Sequence, residues 1–155
     1  MKRNLLLTLL LVLLITSCAP TPAPVPALTT ESAVATVDKF YKYINDAQNE
    51  DGLFKSWTLL SVAEQCNPRD QCVLSRFQEN WWPWKVVYEL YGCSPTRVVA
   101  KETLISRTGD TTVSPPAPRY WEYQITESET GLVINDKRVA QAPGSDCVLM
   151  TGESK

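Results

Sequence analysis

The chain has 155 residues, 44% of them hydrophobic, with 15 basic and 17 acidic residues and a formal net charge of −2 at pH 7. This balance, without a cluster of lysine and arginine, excludes the basic surface that nucleic-acid binding needs. The chain contains no histidine, which excludes Ser-His-Asp, Cys-His and histidine-assisted dehydratase chemistry.

The N-terminal segment has the pattern of an export signal. Two basic residues precede an apolar run over residues 5–15, and two small residues then lead to Cys18. The run is too short for a membrane span, which takes about 20 apolar residues. The order Ile15-Thr16-Ser17-Cys18 resembles a bacterial lipobox. The resemblance implies that residues 1–17 form a lipoprotein signal peptide and that Cys18 carries diacylglycerol.

The lipid on Cys18 predicts where the protein is located. Diacylglycerol, with palmitate or another acyl chain on the amine, makes anchoring stable at about 0.8 kcal/mol per buried methylene. We therefore expect a lipoprotein on the outer side of the cytoplasmic membrane, in the periplasm or at the cell surface. If the host has two membranes, the absence of Asp after Cys18 resembles sorting to the outer one. Loss of Lys2 and Arg3 leaves 13 of the 15 basic residues against 17 acidic ones.

The other four cysteines form an even set once Cys18 is assigned to lipid. In an oxidising export compartment they favour two disulfides, for which four cysteines allow three pairings. Cys66 and Cys72 enclose a turn-rich insert and predict a local bond, so that Cys93 pairs with Cys147 over a long distance. A zinc site is disfavoured because the chain has neither paired cysteines at the usual spacing nor histidine. We expect no metal and no cofactor.

Residues 18–29 predict a tether. Proline occupies every second position from 20 to 26, which favours an extended polyproline-type spacer. The folded domain is predicted over residues 30–150, and a flexible tail over residues 151–155.

Three helices are predicted at the start of this domain. Thr29 or Thr30 caps the first, and residues 49–52 end it. A second, shorter helix follows, and a third begins near Asp70 and stops at Pro83. Apolar residues at steps of three and four predict their inward faces. These are Ala33, Val34, Val37, Phe40, Tyr41, Ile44 and Ala47 in the first, Leu53, Phe54, Trp57 and Leu60 in the second, and Val73, Leu74, Phe77 and Trp81 in the third.

After Pro83 the apolar pattern changes to a period of two, which predicts strands. The runs lie at residues 84–91, 97–108, 120–126 and 132–139, with turns at Gly109-Asp110 and Glu129-Thr130-Gly131. The prolines in 115–118 exclude that segment from the inside of a sheet. Helices followed by strands predict an α+β domain with three N-terminal helices on one face of an antiparallel sheet.

This layout resembles the nuclear-transport-factor-2-like (NTF2-like) superfamily, also called the cystatin-like cone. The resemblance covers roughly residues 30–141. It is carried by residues 37–45, 57–61 and 77–81 and by a final hairpin of residues 120–125 and 132–139. It implies a curved sheet around three helices, often with a pocket inside. Members include isomerases, dehydratases and non-catalytic binding domains, and a fold does not choose among them.

The aromatic residues are the candidate pocket. In one interpretation they line the cone and stack on an apolar or sugar-like ligand, and in the other they form the core of a small exported domain. Trp81 and Trp82 are adjacent and cannot share one helical face, so Trp82 is expected to be exposed or to face the pocket. The candidates are Tyr41, Trp57, Trp81, Trp82, Tyr88 and Trp121.

The resulting expectation is a lipid-anchored, non-catalytic binding module of the cell envelope that binds a small ligand or an envelope protein. No catalytic residue is assigned. An isomerase or dehydratase-like alternative needs a carboxylate, from Glu89 or Glu102, in a closed apolar cavity and in hydrogen-bond reach of Tyr41 or Tyr43. The alternation pattern also suits an outer, solvated position for both glutamates. A third possibility is an assembly subunit that dimerises through its sheet face.

Overall fold

A computed structural model describes residues 26–46, 50–109 and 117–152. The predicted signal peptide, Cys18 and most of the predicted tether lie outside these ranges. The described helices are α1 (Thr30–Asn45), α2 (Glu50–Thr58), α3 (Val62–Gln65) and α4 (Leu74–Trp81). The strands are β1 (Trp84–Ser94), β2 (Arg97–Ser106), β3 (Arg119–Ser128), β4 (Gly131–Ala140) and β5 (Val148–Gly152).

The domain is α+β, as predicted, with an open five-stranded antiparallel sheet in the order β4-β3-β2-β1-β5. The helix prediction was incomplete, because the described part contains four helices rather than three. They extend to Trp81, past the middle of the chain, and are not confined to its N-terminal part. The short α3 escapes a periodicity argument because four residues make barely one turn.

Helix α1 begins as the sequence predicts and ends earlier. Thr29 is the N-cap and forms a capping box with Ser32. The described part of its predicted apolar face is buried, whereas Ala47 lies outside the described residues. The prediction that residues 49–52 end the helix was wrong, since α1 stops at Asn45 and residues 50–52 begin α2.

Contacts with the sheet fix the end of α1. The Asn45 side chain pairs with the backbone of Val86, donating to its oxygen at 2.8 Å and accepting from its nitrogen at 2.7 Å. The Arg107 guanidinium donates to the carbonyl oxygens of Ile44 and Trp84, each at 2.7 Å. The Ile44 carbonyl at the helix end thus gains a donor from the residue that follows β2, and burial lowers the pKa of Arg107.

Two residues that the sequence predicts to face the core from the later helices are exposed to solvent instead. Phe54 is 48% exposed and Val73 is 42% exposed, so their assignment to the core was wrong. The third predicted helix begins at Leu74 rather than near Asp70, because Asp70 belongs to the loop that the Cys66–Cys72 disulfide closes.

The sheet contains the four predicted strands and one more. Strand β5 pairs with β1, and its Thr151 and Gly152 lie opposite Leu90 and Glu89. The predicted flexible tail is therefore corrected: its first two residues are part of the sheet, and residues 153–155 lie outside the described ranges. Both predicted disulfides are present, Cys66–Cys72 and Cys93–Cys147, and the second joins β1 to the segment that leads into β5.

One face of the sheet packs on the helices and forms the core. Its buried members from the sheet are Val86, Tyr88, Leu90, Val98, Ala100, Tyr123, Ile125, Leu132 and Ile134. On the β4 edge, Ile134 exchanges backbone hydrogen bonds of 2.8 Å with Leu59 and Ser61. This link after α2 covers part of an otherwise open edge. Every helix of the described part is too short or too polar to cross a bilayer.

The opposite, outer face of the sheet carries an ionic cluster around Glu122. This carboxylate is 7% exposed and accepts hydrogen bonds from Arg97 Nε at 2.8 Å and Arg138 Nε at 3.0 Å. Arg97 also pairs with Asp146 at 2.9 Å, next to the disulfide residue Cys147. The hydrogen bond from Arg97 is the main cause that lowers the pKa of Glu122, from its usual 4.5 to about 2.

The pKa of Glu122 predicts how stability depends on pH. Glu122 has a lower pKa in the folded protein than in the unfolded chain, so its ionised form stabilises the fold. This stabilisation is fully present above about pH 4.5 and is lost as the pH falls toward 2. Glu122→Gln should lower the free energy of unfolding by about 1–2 kcal/mol at pH 7 and flatten its pH dependence between these values. Urea unfolding at a series of pH values measures both effects.

The matched control is Glu127→Gln, because Glu127 is an exposed glutamate of the same strand. It should leave the pH dependence of stability unchanged. If the free energy of unfolding changed equally with pH between 5 and 3 in wild type and in Glu122→Gln, the lowered pKa of Glu122 would be contradicted.

Candidate functional site

A buried polar cluster lies where α1 meets the inner face of β2, β3 and β4. It consists of Tyr41 from α1, Glu102 from β2, Trp121 and Tyr123 from β3, and Lys137 from β4. Glu102 faces Tyr88 across the β1–β2 pair, and Lys137 faces Tyr123 across the β3–β4 pair. Paired residues share a face, so both charged side chains project toward the core.

A β-bulge directs Lys137 inward. Gln124 pairs with Asp136 and Ile125 pairs with Ile134, which leaves Asn135 as an extra residue in β4. Plain alternation from Ile134 would turn Lys137 to the outer face, whereas the extra residue reverses the alternation for the rest of the strand.

Glu102 is the centre of the cluster. Its side chain is 4% exposed, and its Oε2 accepts a hydrogen bond from the Tyr41 hydroxyl at 3.1 Å. Its Oε1 accepts from the indole N–H of Trp121, also at 3.1 Å. Lys137 Nζ lies 3.7 Å from Oε2, an ion pair too long for a direct hydrogen bond. A buried carboxylate requires such donors, because leaving it unpaired would be costly.

The two tyrosines behind Glu102 form a second layer. Their hydroxyl oxygens are 2.6 Å apart and both side chains are fully buried. Burial is the main cause that raises the pKa of each above its usual value, and the Glu102 charge adds to it. Tyr41 also stacks on Tyr88, with ring centroids 4.6 Å apart. The Tyr41 hydroxyl is therefore a neutral donor to the carboxylate, and the Tyr123 hydroxyl bonds to that of Tyr41 rather than to Glu102.

Lys137 lies among aromatic rings. Its Nζ is 4.4 Å from the ring centroid of Trp121, 4.7 Å from that of Trp81 and 5.5 Å from that of Tyr123. Its side chain is 13% exposed, and burial lowers its pKa while Glu102 opposes this effect. Cation–π attraction and the Glu102 ion pair compensate for the hydration that the ammonium loses.

A cleft of about 400 Å³ opens in front of Lys137. We call it the ring cleft. Its apolar wall comprises Phe40, Leu60, Phe77, Trp81 and Trp121. Its polar groups are Glu64, Asn67, Arg69, Asp70, Asp136 and Lys137. A second pocket of about 260 Å³ adjoins it, shares Arg69, Trp81, Trp121 and Lys137 with it, and contains Glu102. Lys137 lies at the junction of the two.

The Cys66–Cys72 loop builds one wall of the ring cleft. Its backbone turns through left-handed conformations at Gln71 and Cys72, with φ of 53° and 61°. The Asn67 side chain supports the turn by accepting from the backbone nitrogens of Arg69 and Asp70 and donating to the Asp70 carboxylate. Asp70 in turn accepts from Asn80 of α4 at 3.0 Å, which fixes the loop against that helix.

The six predicted pocket aromatics have different positions. Trp81 and Trp121 line the ring cleft. Tyr41 and Tyr88 are buried behind it. Trp57 packs in the core against Phe77, with ring centroids 5.2 Å apart. Trp82 is 45% exposed, as expected, but it lines a separate surface pocket beside α4.

The charged residues of the site are harder to find in the sequence. Glu102 and Glu89 were equally open to an inner or outer position, and only Glu102 is inside, whereas Glu89 lies outside beside Tyr91 and Lys101. Lys137, Arg69 and Tyr123 were not among the candidates. For Lys137 the only signal is the bulge at Asn135, which becomes visible once strand pairing is known.

Comparisons with known proteins give no assignment: no family model, curated protein or solved structure significantly matches the chain. In the described part of the chain, no group of three or more Cys, Asp or Glu side chains is placed to hold a metal ion.

The coupling of Glu102 and Lys137 is testable by a double-mutant cycle. Glu102→Gln should destabilise the domain by about 3 kcal/mol, because it leaves a buried ammonium without its counterion. Lys137→Met should also destabilise it, and the double variant should lose about 1–3 kcal/mol less than the sum of the two. Urea unfolding of the four proteins measures the coupling.

The control cycle uses Glu89→Gln and Lys101→Met, an ion pair of 3.4 Å on the outer face with both side chains more than a third exposed. Its coupling should be below about 1 kcal/mol. Equal couplings in the two cycles would contradict the buried pair.

Proposed function

We propose that the chain is a lipid-anchored binding module of the bacterial cell envelope, in which an NTF2-like domain binds a small ligand in the ring cleft. The observation that carries the proposal is an aromatic-walled cleft that includes the largely buried Lys137 ammonium among its lining groups. Pockets for small ligands are typically about 300–1,000 Å³, mostly apolar, with a few convergent polar groups. The ring cleft, at about 400 Å³, has this composition.

The cysteines support the anchoring part of the proposal. Cys66, Cys72, Cys93 and Cys147 are paired with one another. This leaves Cys18 without a disulfide partner in the chain and available for lipid. The described domain has its own core and both disulfides within residues 26–152, so the lipid is not needed to complete the fold.

Anchoring predicts a clear effect of Cys18→Ser. In a bacterial host, wild-type protein should incorporate labelled palmitate and fractionate with membranes, because two or three acyl chains give stable binding. Cys18→Ser should incorporate none. Cys72→Ser is the control, since it removes a cysteine of the domain and leaves the signal intact. Equal labelling of wild type and Cys18→Ser would refute lipidation at this residue.

The enzymatic alternative has one geometric point in its favour. Tyr41 lies in hydrogen-bond reach of a buried carboxylate, Glu102, at 3.1 Å. Access argues against it, because Tyr41 and Tyr123 are 0% exposed and line neither pocket. Each Glu102 oxygen also accepts a hydrogen bond from the domain itself, which favours the ionised form and makes the carboxylate a weaker base. The geometry therefore favours binding over proton-transfer chemistry.

Ligand binding is testable with a neutral aromatic probe, N-phenyl-1-naphthylamine, whose fluorescence rises when it leaves water. The protein is the lipid-free mature chain, residues 19–155, exported with a cleavable signal. We expect one probe molecule to bind per chain. Trp121→Ala should weaken binding about fivefold or more, because it removes a ring from the cleft wall.

Trp82→Ala is the matched control, since Trp82 is a half-exposed tryptophan outside the ring cleft. It should leave the affinity unchanged. Absence of probe binding, or equal losses in the two variants, would contradict the proposed cleft.

A further inference from the structure

The second pocket carries an excess of positive charge. Among its lining residues are three cations, Arg69, Arg119 and Lys137, and a single carboxylate, Glu102. We call it the basic pocket. Trp81, Trp84 and Trp121 supply its aromatic surface. The chain as a whole is acidic, so three cations around one small cavity do not reflect its overall composition.

Two of these cations pair with no acidic side chain that the structure describes. Within the described residues, the guanidinium groups of Arg69 and Arg119 form no salt bridge and no side-chain hydrogen bond, whereas Lys137 pairs with Glu102. Arg119 lies over the Trp121 ring, 5.6 Å from its centroid. Arg69 is close enough to Lys137 that its charge contributes to the lowered pKa of that lysine, after the larger effects of burial and Glu102.

Glu102 offsets part of this positive charge. Its oxygens accept from Tyr41 and Trp121, its ion pair is with Lys137, and it lies opposite Arg119 across the β2–β3 pair. One carboxylate against three cations leaves a formal charge of 3 − 1 = +2 among the lining residues of the pocket. The pocket therefore retains positive charge on its accessible side.

The ring cleft differs in charge from the basic pocket. Its carboxylates, Glu64, Asp70 and Asp136, line the part that the basic pocket does not share. Asp70 is held by Asn67 and Asn80, and burial raises the pKa of Glu64. These carboxylates repel an anionic group from the unshared part of the ring cleft, and the cations of the basic pocket attract it. The apolar wall of Phe40, Leu60 and Phe77 can contact the uncharged part of a ligand.

We propose that the ligand is a small amphipathic anion, with its carboxylate, sulfonate or phosphate group between Arg69, Arg119 and Lys137 and its apolar, ring-containing body in the ring cleft. This inference rests on the proposed binding function. Guanidinium groups recognise such oxyanions with paired N–H donors, and a partly desolvated pocket strengthens the attraction. The aromatic surfaces that join the two cavities provide the continuous apolar contact.

Two probes with the same aromatic skeleton test the charge preference. N-phenyl-1-naphthylamine is neutral, and 8-anilino-1-naphthalenesulfonate is the same molecule with a sulfonate group. The lipid-free mature chain should bind the sulfonate at least about tenfold more tightly. Added sodium chloride should reduce this difference, because it screens the exposed arginines and leaves the neutral probe unaffected.

Arg119→Gln should weaken sulfonate binding by about five- to tenfold and leave binding of the neutral probe unchanged, because Arg119 lines the basic pocket and not the ring cleft. Arg69→Gln should weaken sulfonate binding by a similar factor. Both arginines are exposed, so neither variant should affect folding. Arg76→Gln is the matched control. It removes the same charge, and Arg76 is an exposed arginine of α4 that lines neither cavity. It should change neither affinity.

The outcomes separate the two proposals. If the neutral probe binds and Trp121→Ala weakens it, but the sulfonate binds no more tightly, the anionic ligand is overturned and the binding cleft stands. Equal effects of Arg76→Gln and Arg119→Gln on the sulfonate would also overturn it, since attraction would then depend on overall charge. If neither probe binds, the binding function fails and the ligand class fails with it.

Discussion

Burial of the Glu102 carboxylate is the constraint on which the site depends. A charge in an apolar core is tolerated only where donors or an opposite charge compensate it, and these come from three other elements: Tyr41 of α1 and Trp121 of β3 donate hydrogen bonds, and Lys137 of β4 forms the ion pair. Meeting this requirement fixes the helix against three strands at one point. It also fixes the Trp121 ring, which donates to the carboxylate and forms part of the wall that the two cavities share.

The sequence predicts best what depends on local pattern. Apolar spacing in α1, alternation in β1, and the turn-rich insert between Cys66 and Cys72 each have a local cause, and the structure contains all three. The end of α1 is different, because Arg107 and Asn45 stop the helix through contacts with residues far along the chain. Phe54 likewise fits the helical period and still faces outward, since packing rather than period decides which side of a short helix is covered.

The candidate site was less predictable than the fold for the same reason. Alternation in β4 predicts which face of the sheet each side chain occupies only if the strand is regular. The extra residue at Asn135 moves Lys137 from the outer face to the inner face. Glu102 and Glu89 have similar surroundings in sequence, yet the strand register places one inside and one outside. Aromatic residues were visible as candidates, but which of them border a cavity depends on the same register.

The Cys66–Cys72 loop connects stability to the proposed binding. A local disulfide in a small exported domain is usually understood as reinforcement. Here the closed loop, with its two left-handed residues and the Asn67 hydrogen bonds, also presents Arg69 to both cavities. An arginine on a free loop would lose conformational entropy when it met an anion, and one on a constrained loop loses less. The bond that holds the loop together would thereby preorganise one side of the basic pocket for the proposed ligand, and fold stability and the proposed affinity would depend on the same covalent link.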